Sequence, residues 1–142
     1  MKNINSIFLA TLLVVLASVF SPTYAADPEG GLFINLTTDD ARAANKAIMF
    51  AHQKVLKRGY KPVAIWLNVR GIHLADKNRT SHAAIQDKLQ AFIKDGGMVI
   101  ACTVCSKASG IAGADFIDGV KMGNTDLVMG LLFDPVVKTL SF

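Results

Sequence analysis

The sequence has little of what most metal and cofactor sites require. Its 142 residues include only two cysteines and three histidines, and His52, His73 and His82 are too widely separated to show ligand spacing. A structural zinc site takes four protein ligands, so a single cysteine pair is not enough. Phosphate-loop, nucleophile-elbow and dinucleotide-binding motifs are missing as well. We therefore expect no resident metal and no cofactor, and we interpret His52 as a packing residue on an apolar helix face.

A strong charge of one sign is also missing. The chain has 15 lysines and arginines against 11 aspartates and glutamates, for a formal net charge of +4. The basic residues are scattered among the acidic ones, whereas a nucleic-acid-binding face needs them clustered. The sequence shows no repeat, linker or low-complexity tract. We therefore expect no nucleic-acid partner.

There is one long apolar run, and it lies at the amino end. It extends from Ile7 to Phe20, which is shorter than the roughly 20 residues of a comfortable membrane span. Lys2 precedes it and the small residues Thr23 and Ala25 follow it, which is the arrangement of a secretory signal. We predict that residues 1–25 are a signal peptide, that the protein is periplasmic, and that it has no stable membrane insertion after cleavage.

Residues 26–142 are predicted to form a single α/β domain. Nearly continuous apolar runs alternate with amphipathic segments, which is typical of a mainly parallel sheet covered by helices on both faces. A chain of this length buries a core without needing a disulfide. The predicted strands are 31–36, 62–69, 98–101, 120–123 and 136–140. The predicted helices are one capped by Thr38 or Asp39 and ended by Gly59, a second at 82–94, and a third at 126–132 capped by Asn124 or Thr125.

The two cysteines follow the third predicted strand. A glycine pair ends the preceding helix, Met98–Ala101 forms the strand, and Cys102 and Cys105 come directly after it. Open α/β sheets bind their ligands outside the carboxyl ends of the strands. Cys105 lies near the start of a short helical turn, where backbone N–H groups favour a thiolate. Lys107 is a candidate for a nearby positive charge.

The spacing of the pair allows its two sulfurs to react with each other. Cys105 is the candidate nucleophile, and Cys102 is the candidate that resolves a persulfide or mixed disulfide formed there. Two other interpretations stay open. The pair can be a static disulfide or two inert thiols, since exported cysteine pairs are usually oxidised. It can also hold Cu(I) with a methionine such as Met122, because soft ligands select that ion. Covalent c-type haem is disfavoured because Ser106 stands where a histidine is needed.

Several polar residues are candidates for the rim around the pair. Arg70 and His73 follow the second predicted strand, so their loop is expected at the same edge of the sheet. Thr37 and Thr38 follow the first strand and serve first as part of a helix cap. Asn68 lies in an apolar strand, where an amide most often satisfies backbone groups. The candidate rim residues are Thr37, Thr38, Asn68, Arg70 and Met122.

Five segments of the chain resemble members of the DsrE/DsrF-like family. They are 32–40 (LFINLTTDD), 50–52 (FAH), 66–71 (WLNVRG), 101–110 (ACTVCSKASG) and 119–124 (GVKMGN). The resemblance covers essentially all of residues 26–142. It implies a flavodoxin-like fold of three layers, α/β/α, assembled into homo-oligomers such as trimers or hexamers. The better understood members of the family are cytoplasmic sulfur carriers, which hold a persulfide on one cysteine and pass it on.

The sulfur-carrying cysteine of that family begins a Cys-x-x-Ala segment that is followed by glycine. Cys105, Ala108 and Gly110 fit this pattern, so the resemblance implies Cys105, and not Cys102, as the sulfur acceptor. This chain differs from the cytoplasmic carriers in having an export signal and a second cysteine. It therefore resembles a secreted member of the family with a Cys-x-x-Cys pair.

Together these observations predict a periplasmic thiol protein, a sulfurtransferase or sulfur carrier. It transfers a persulfide or exchanges disulfides through Cys105, with Cys102 as partner. The expected binding partners are copies of the chain itself and a protein that donates or accepts sulfur. The alternative is a non-catalytic, oligomeric accessory or binding protein that has a structural disulfide or binds a soft metal.

Overall fold

The computed structural model describes residues 28–142, so the predicted signal peptide lies outside the described residues. A five-stranded sheet forms its centre, and all of the strand pairings are parallel. The spatial order is β4-β3-β2-β1-β5. The strands are β1 (Gly31–Leu36), β2 (Val63–Leu67), β3 (Met98–Ala101), β4 (Lys121–Met122) and β5 (Val137–Ser141). All five predicted strands are present, although the fourth is only two residues long.

Four α-helices connect the strands: α1 (Ala41–Met49), α2 (Ala83–Lys94), α3 (Thr103–Ala108) and α4 (Thr125–Leu132). A π-helical segment, Phe50–Val55, and a 3-10 turn, Leu56–Arg58, continue α1. Further 3-10 turns are Val69–Ala75, Thr80–His82 and Gly113–Asp115. Within residues 28–142 no helix is long and apolar enough to span a bilayer.

Alternate side chains of β1, β2 and β3 enter two separate cores. The chain adds β2, β3 and β4 successively on one side of β1 and then returns to place β5 on its other side. Leu32 and Ile34 of β1 pack into a large core with residues of α1 and α2, whereas Phe33 packs into a smaller core with Val128 and Leu131 of α4. The sheet is therefore covered on both faces, which confirms the predicted three-layer α/β/α, flavodoxin-like fold.

The first helix begins one or two residues later than its sequence predicts. Asp40, and not Thr38 or Asp39, is its N-cap: one carboxylate oxygen of Asp40 accepts hydrogen bonds from the N–H groups of Arg42 and Ala43, at 3.1 and 2.8 Å. The Thr38 hydroxyl accepts the N–H of Asp40 instead. Neighbouring capping residues compete for one position, and here the last of them takes it. Asn124 caps α4 as predicted.

The prediction of one regular helix up to Gly59 is wrong in its middle. Buried residues recur in pairs spaced four apart, at Ala47 and Ile48 and again at Ala51 and His52. A repeat of four drifts around an α-helix, which has about 3.6 residues per turn. The wider π turn over Phe50–Val55 corrects the drift, because its hydrogen bonds join residues five apart. The helix then ends, as predicted, at Gly59, which has a φ of 91°.

His52 holds this widened turn against the end of α2. Its side chain is buried, its Nε2 atom lies 2.7 Å from Oδ2 of Asp95, and its ring packs edge-on against Phe92 at 5.7 Å. The hydrogen bond from His52 lowers the pKa of Asp95, and Lys57, 3.5 Å from the same oxygen, acts in the same direction. This agrees with the interpretation of His52 as a packing residue.

The start of β3 requires glycine at position 97. A Cβ atom built there would overlap three ring carbons of Phe92, which is fully buried. We expect Gly97→Ala to lower the free energy of unfolding by about 1–3 kcal/mol, the usual cost of overpacking a core. Urea unfolding measures this. As a control, Gly130→Ala in α4 adds a Cβ in open space and should raise stability by up to about 1 kcal/mol, because alanine favours helix. Equal stabilities of the two variants would contradict the packing argument.

Candidate functional site

Three main-chain hydrogen bonds align the loops at the carboxyl edge of the sheet. In each, the residue directly after one strand donates its N–H to the last carbonyl of the strand before it in the chain. The pairs are Asn68 to Leu36 at 2.9 Å, Cys102 to Leu67 at 2.9 Å, and Gly123 to Ala101 at 2.8 Å. These bonds extend the parallel pairing beyond the strand ends. We call them the edge ladder, and they fix where the cysteine pair begins.

Cys102 and Cys105 are joined by a disulfide. Cys102 is the N-cap of α3 and Cys105 lies in its first turn, which brings their Cα atoms to 5.3 Å. The N–H of Cys105 points to Sγ of Cys102 at 3.2 Å. Cys102 is only 8% exposed, whereas Cys105 is half-buried. The two sulfurs therefore differ in access, and Cys105 is the more open of the two.

The loop after β2 directs a backbone N–H at the sulfur of Cys105. The N–H of Val69 lies 3.4 Å from Sγ of Cys105 and 2.8 Å from Oδ1 of Asn68. That amide oxygen is itself 3.1 Å from the sulfur. In the disulfide, Sγ carries no hydrogen, so this last contact becomes a hydrogen bond only when Cys105 is a thiol. The Val69 N–H is the donor that remains for a thiolate.

Val69 has an unusual backbone conformation. Its φ is +50°, which is a genuine outlier for a β-branched residue and costs of order 1–3 kcal/mol. Neighbouring contacts maintain it: the N–H groups of Arg70 and Gly71 both donate to the carbonyl of Thr37. Gly71 also lies so close to the carbonyl of Leu36 that a Cβ there would overlap it. The strain is thus held by close packing of the loop on the end of β1.

Cys105 faces an open cleft of about 380 Å³, which we call the Cys105 cleft. The cleft lies between the loop after β2 and helix α3. Its lining combines apolar and polar groups, namely Val69, Arg70, His73, Val104, Cys105, Ala108 and Ser109.

Cys102 borders a different and smaller depression of about 200 Å³, which we call the Trp66 pocket. Its walls are Trp66, Cys102, Thr103, Val104, Gly123, Asn124, Thr125, Val128 and Met129. The indole N–H of Trp66 is buried and has no hydrogen-bond partner in the described part of the chain. The side chain of Val104, 78% exposed, separates the pocket from the cleft. The two cysteines of the disulfide therefore line different depressions.

Arg70 is fixed at the rim of the Cys105 cleft by Asp39. Its Nε and Nη2 atoms donate to the two carboxylate oxygens of Asp39 at 2.9 and 3.0 Å. The hydrogen bond from Arg70 lowers the pKa of Asp39. The Arg70 side chain is still 72% exposed, so the guanidinium remains accessible from the cleft.

His73 lines the same cleft and is kept neutral. Burial lowers the pKa of His73, and the positive charge of Arg79 lowers it further, while Asp39 and Asp76 oppose the shift. Its Nδ1 atom is buried and has no hydrogen-bond partner within residues 28–142. At neutral pH the ring is therefore uncharged.

The structure brings together some of the predicted site residues and leaves others apart. Asn68 contacts Cys105 directly, Arg70 lines its cleft, and Thr37 supports the loop between them. The other three candidates lie elsewhere. Thr38 accepts a hydrogen bond within the helix cap. Lys107 is exposed, and Met122 is exposed on β4; neither lines the cleft or the Trp66 pocket.

Two residues of the site went unnoticed in the sequence. Val69 reads as an ordinary strand residue, and no sequence signal reveals its left-handed conformation. Trp66 also reads as a strand residue, although a single tryptophan beside a polar strand end is a weak signal of a pocket. Within residues 28–142 no group of three His, Cys, Asp or Glu side chains is placed to hold a metal ion.

The fold and the disulfide define a flavodoxin-like α/β/α protein with a Cys-x-x-Cys pair at the carboxyl edge of its sheet. Neither a protein-family model nor a curated relative matches the sequence. Solved structures share the fold. A conserved protein of unknown function from Bacteroides thetaiotaomicron has a TM-score of 0.64 at 23% identity, over 80% of this chain and 95% of that one. A protein of unknown function from Methanobacterium thermoautotrophicum has a TM-score of 0.60 at 14% identity, over 80% and 99%. The ychN protein of E. coli has a TM-score of 0.55 at 16% identity, over 80% and 100%.

The lowered pKa of His73 predicts a pH dependence of stability. Because the folded pKa lies below the unfolded one, the unfolded state binds more protons as the pH falls below about 6.5. The free energy of unfolding should therefore decrease from there downward, by at most about 1.4 kcal/mol per pH unit. Asp39 and Asp95 add their own losses only below about pH 4. Urea unfolding between pH 7.5 and 5 tests this, and His73→Gln should flatten the decrease. An unchanged slope in that variant would refute it.

Proposed function

We propose that this chain is a periplasmic thiol protein of the DsrE/DsrF type. It carries sulfur as a persulfide on Cys105 or exchanges disulfides there, with Cys102 as its partner. One observation carries the proposal: the more open sulfur of the pair faces a cleft and receives a backbone N–H from Val69. The sequence resemblance and the shared fold support the family, and the order of residues in 1–25 supports the location.

In the disulfide state, an incoming thiolate attacks Sγ of Cys105, the sulfur that the cleft exposes. The new bond joins the substrate to Cys105, and the electron pair of the broken bond leaves with Cys102 as a thiolate. The N–H of Cys105, 3.2 Å from that sulfur, stabilises the negative charge. A second substrate thiolate then attacks the mixed disulfide and releases Cys105 as a thiolate. The substrate dithiol is oxidised and the cysteine pair is reduced.

In the reduced state, the Cys105 thiolate attacks the outer sulfur of a persulfide donor. The donor leaves as a thiolate, and Cys105 holds the transferred sulfur. The N–H of Val69 is placed to stabilise the Cys105 sulfur while it carries negative charge. The persulfide on Cys105 then has two possible fates. The Cys102 thiolate attacks Sγ of Cys105, which forms the disulfide and releases hydrosulfide, or an acceptor protein takes the outer sulfur first.

This scheme predicts different fates for the persulfide in single cysteine variants. We treat reduced protein with glutathione persulfide and follow its intact mass. Cys102→Ser should accumulate one added sulfur on Cys105, because no partner removes it. The unchanged chain should pass quickly to the disulfide with release of sulfide, and Cys105→Ser should not retain sulfur. Full loading of Cys105→Ser would overturn the assignment.

Protein from the periplasmic fraction tests the location, since its mass should lack residues 1–25.

A second function, an accessory protein with a structural disulfide, is favoured by the joined state of the pair. The reduction potential of the Cys102–Cys105 disulfide distinguishes this accessory function from the thiol chemistry proposed above. Structural disulfides lie below about −300 mV, whereas catalytic pairs lie between about −120 and −270 mV. Emission of Trp66, the single tryptophan, should report the reaction, because its pocket is walled by Cys102 and disulfides quench nearby indoles. A potential below −300 mV would favour the accessory role.

We further propose that the chain is a homo-oligomer, a trimer or hexamer, that associates through the outer side of α4. Phe133, Met129 and Leu132 are 76%, 41% and 37% exposed there, and clustered apolar exposure marks association surfaces. Sedimentation velocity should show an oligomer that Phe133→Ser weakens at least tenfold. Met49→Ser, which removes a half-exposed apolar side chain from α1, serves as the control. A monomeric unchanged chain, or equal effects of both variants, would exclude this interface.

A further inference from the structure

The outer side of the first helix and its continuation has a positive charge that this segment does not neutralise. Residues 41–62 contain no aspartate or glutamate. They contain six lysines and arginines, all exposed: Arg42, Lys46, Lys54, Lys57, Arg58 and Lys61. Among the salt bridges formed within residues 28–142, only Lys57 of these six takes part. The other five charges are available to a partner.

Two depressions with largely apolar linings adjoin Phe50: three of these six charges line the first, and Lys138 lines the second. The first, of about 340 Å³, is lined by Arg42, Asn45, Lys46, Met49, Phe50, Gln53 and Lys54. The second, of about 260 Å³, is lined by Gly31, Leu32, Phe50, Val55, Tyr60, Lys138 and Leu140. We call the two together the Phe50 surface. Among residues 28–142, four cationic side chains and no carboxylate line the two depressions.

The large apolar side chains of this surface are partly exposed to solvent. Met49 and Phe50 are 50% and 39% exposed, and Leu140 and Tyr60 are 39% and 38% exposed. They form floors and walls into which a side chain of another molecule can insert. In protein interfaces, an apolar side chain that inserts into a pocket contributes affinity, and complementary charges around the pocket set the orientation of the partner.

We propose that the Phe50 surface binds an acidic polypeptide segment of a partner protein. Two bulky apolar side chains of that segment enter the two depressions, one on each side of Phe50. Its carboxylates pair with Arg42, Lys46 and Lys54 at the first depression and with Lys138 at the second. This inference does not depend on the chemistry of the disulfide, which lies at the carboxyl edge of the sheet.

Charge and shape favour this occupant over two others. A symmetric contact with a second copy of the chain would place Arg42, Lys46 and Lys54 against their own counterparts, which is repulsive. A bilayer is flat, so cationic side chains can reach its headgroups but its surface cannot fill two depressions.

Nuclear magnetic resonance tests the proposal on the purified, isotope-labelled protein at about 50 mM salt, where surface charges are weakly screened. The probe is a synthetic glutamate-rich peptide with two phenylalanines, and its matched control has serines in their place. We expect amide shifts confined to the segments that line the Phe50 surface, 31–32, 42–60 and 138–140. The serine peptide should bind at least fivefold more weakly. Lys46→Glu with Lys54→Glu should weaken binding of the phenylalanine peptide at least tenfold.

A second double variant, Lys94→Glu with Lys121→Glu, makes the same change in net charge away from this surface and should leave the affinity within about twofold. Equal losses in both double variants would overturn the proposal, since they would show unspecific charge attraction. So would shifts outside the Phe50 surface or no binding. Stronger binding to vesicles of phosphatidylcholine with phosphatidylglycerol would assign the surface to a membrane. Concentration-dependent shifts of the same amides without peptide would assign it to a second copy.

Discussion

The edge ladder is the interaction on which the cysteine site depends. It uses backbone groups only, and it continues the parallel register by one residue past each strand. Cys102 is therefore positioned by its own N–H and the carbonyl of Leu67, before any side chain contributes. Asn68 is placed in the same way beside it, and Val69 follows from Asn68. Since a slip of one residue turns each strand residue to the opposite face, the register of β1, β2 and β3 decides the environment of both sulfurs.

This arrangement makes the two sulfurs unequal although they are only three residues apart. The sulfur of Cys102 is enclosed between the sheet edge and the Trp66 pocket. The sulfur of Cys105 lies under a strained peptide and beside a cleft that contains a guanidinium and a neutral imidazole. A reagent that approaches from solvent meets Cys105 first. The function proposed above takes its order of steps from this difference in exposure and assigns the stabilisation of each thiolate to the nearby N–H groups of Val69 and Cys105.

Most of the fold could be predicted from the sequence, because strands of a sheet that is buried on both faces appear as nearly continuous apolar runs. Strands such as Leu32–Leu36 and Val63–Leu67 are apolar almost throughout, and a parallel sheet is what such runs form. The helix start was harder, since Thr38, Asp39 and Asp40 are all good capping residues and only the geometry selects Asp40.

The site was predicted less completely, for a physical reason. The position of the cysteines after β3 follows from a local pattern, and Cys105 was singled out by its place near the start of a helical turn and by the resemblance. Lys107 was expected nearby because it is close in sequence, but residues two apart on a helix do not face the same side. The conformation of Val69 runs against its own propensity, so tertiary packing alone decides it. The backbone conformation of such a residue cannot be predicted from its intrinsic propensity.

Because of the π turn over Phe50–Val55, the connection between β1 and β2 can change in length without changing the register of the sheet. A helix that can widen one turn accommodates an extra residue without moving its ends. Insertions and deletions of single residues are then absorbed between β1 and β2, while the strands keep their pairing. In an alignment of homologous chains, we expect a one-residue gap to recur in this turn, next to strands of constant length. The first helix is therefore the segment in which we expect the fold to tolerate insertions and deletions of single residues.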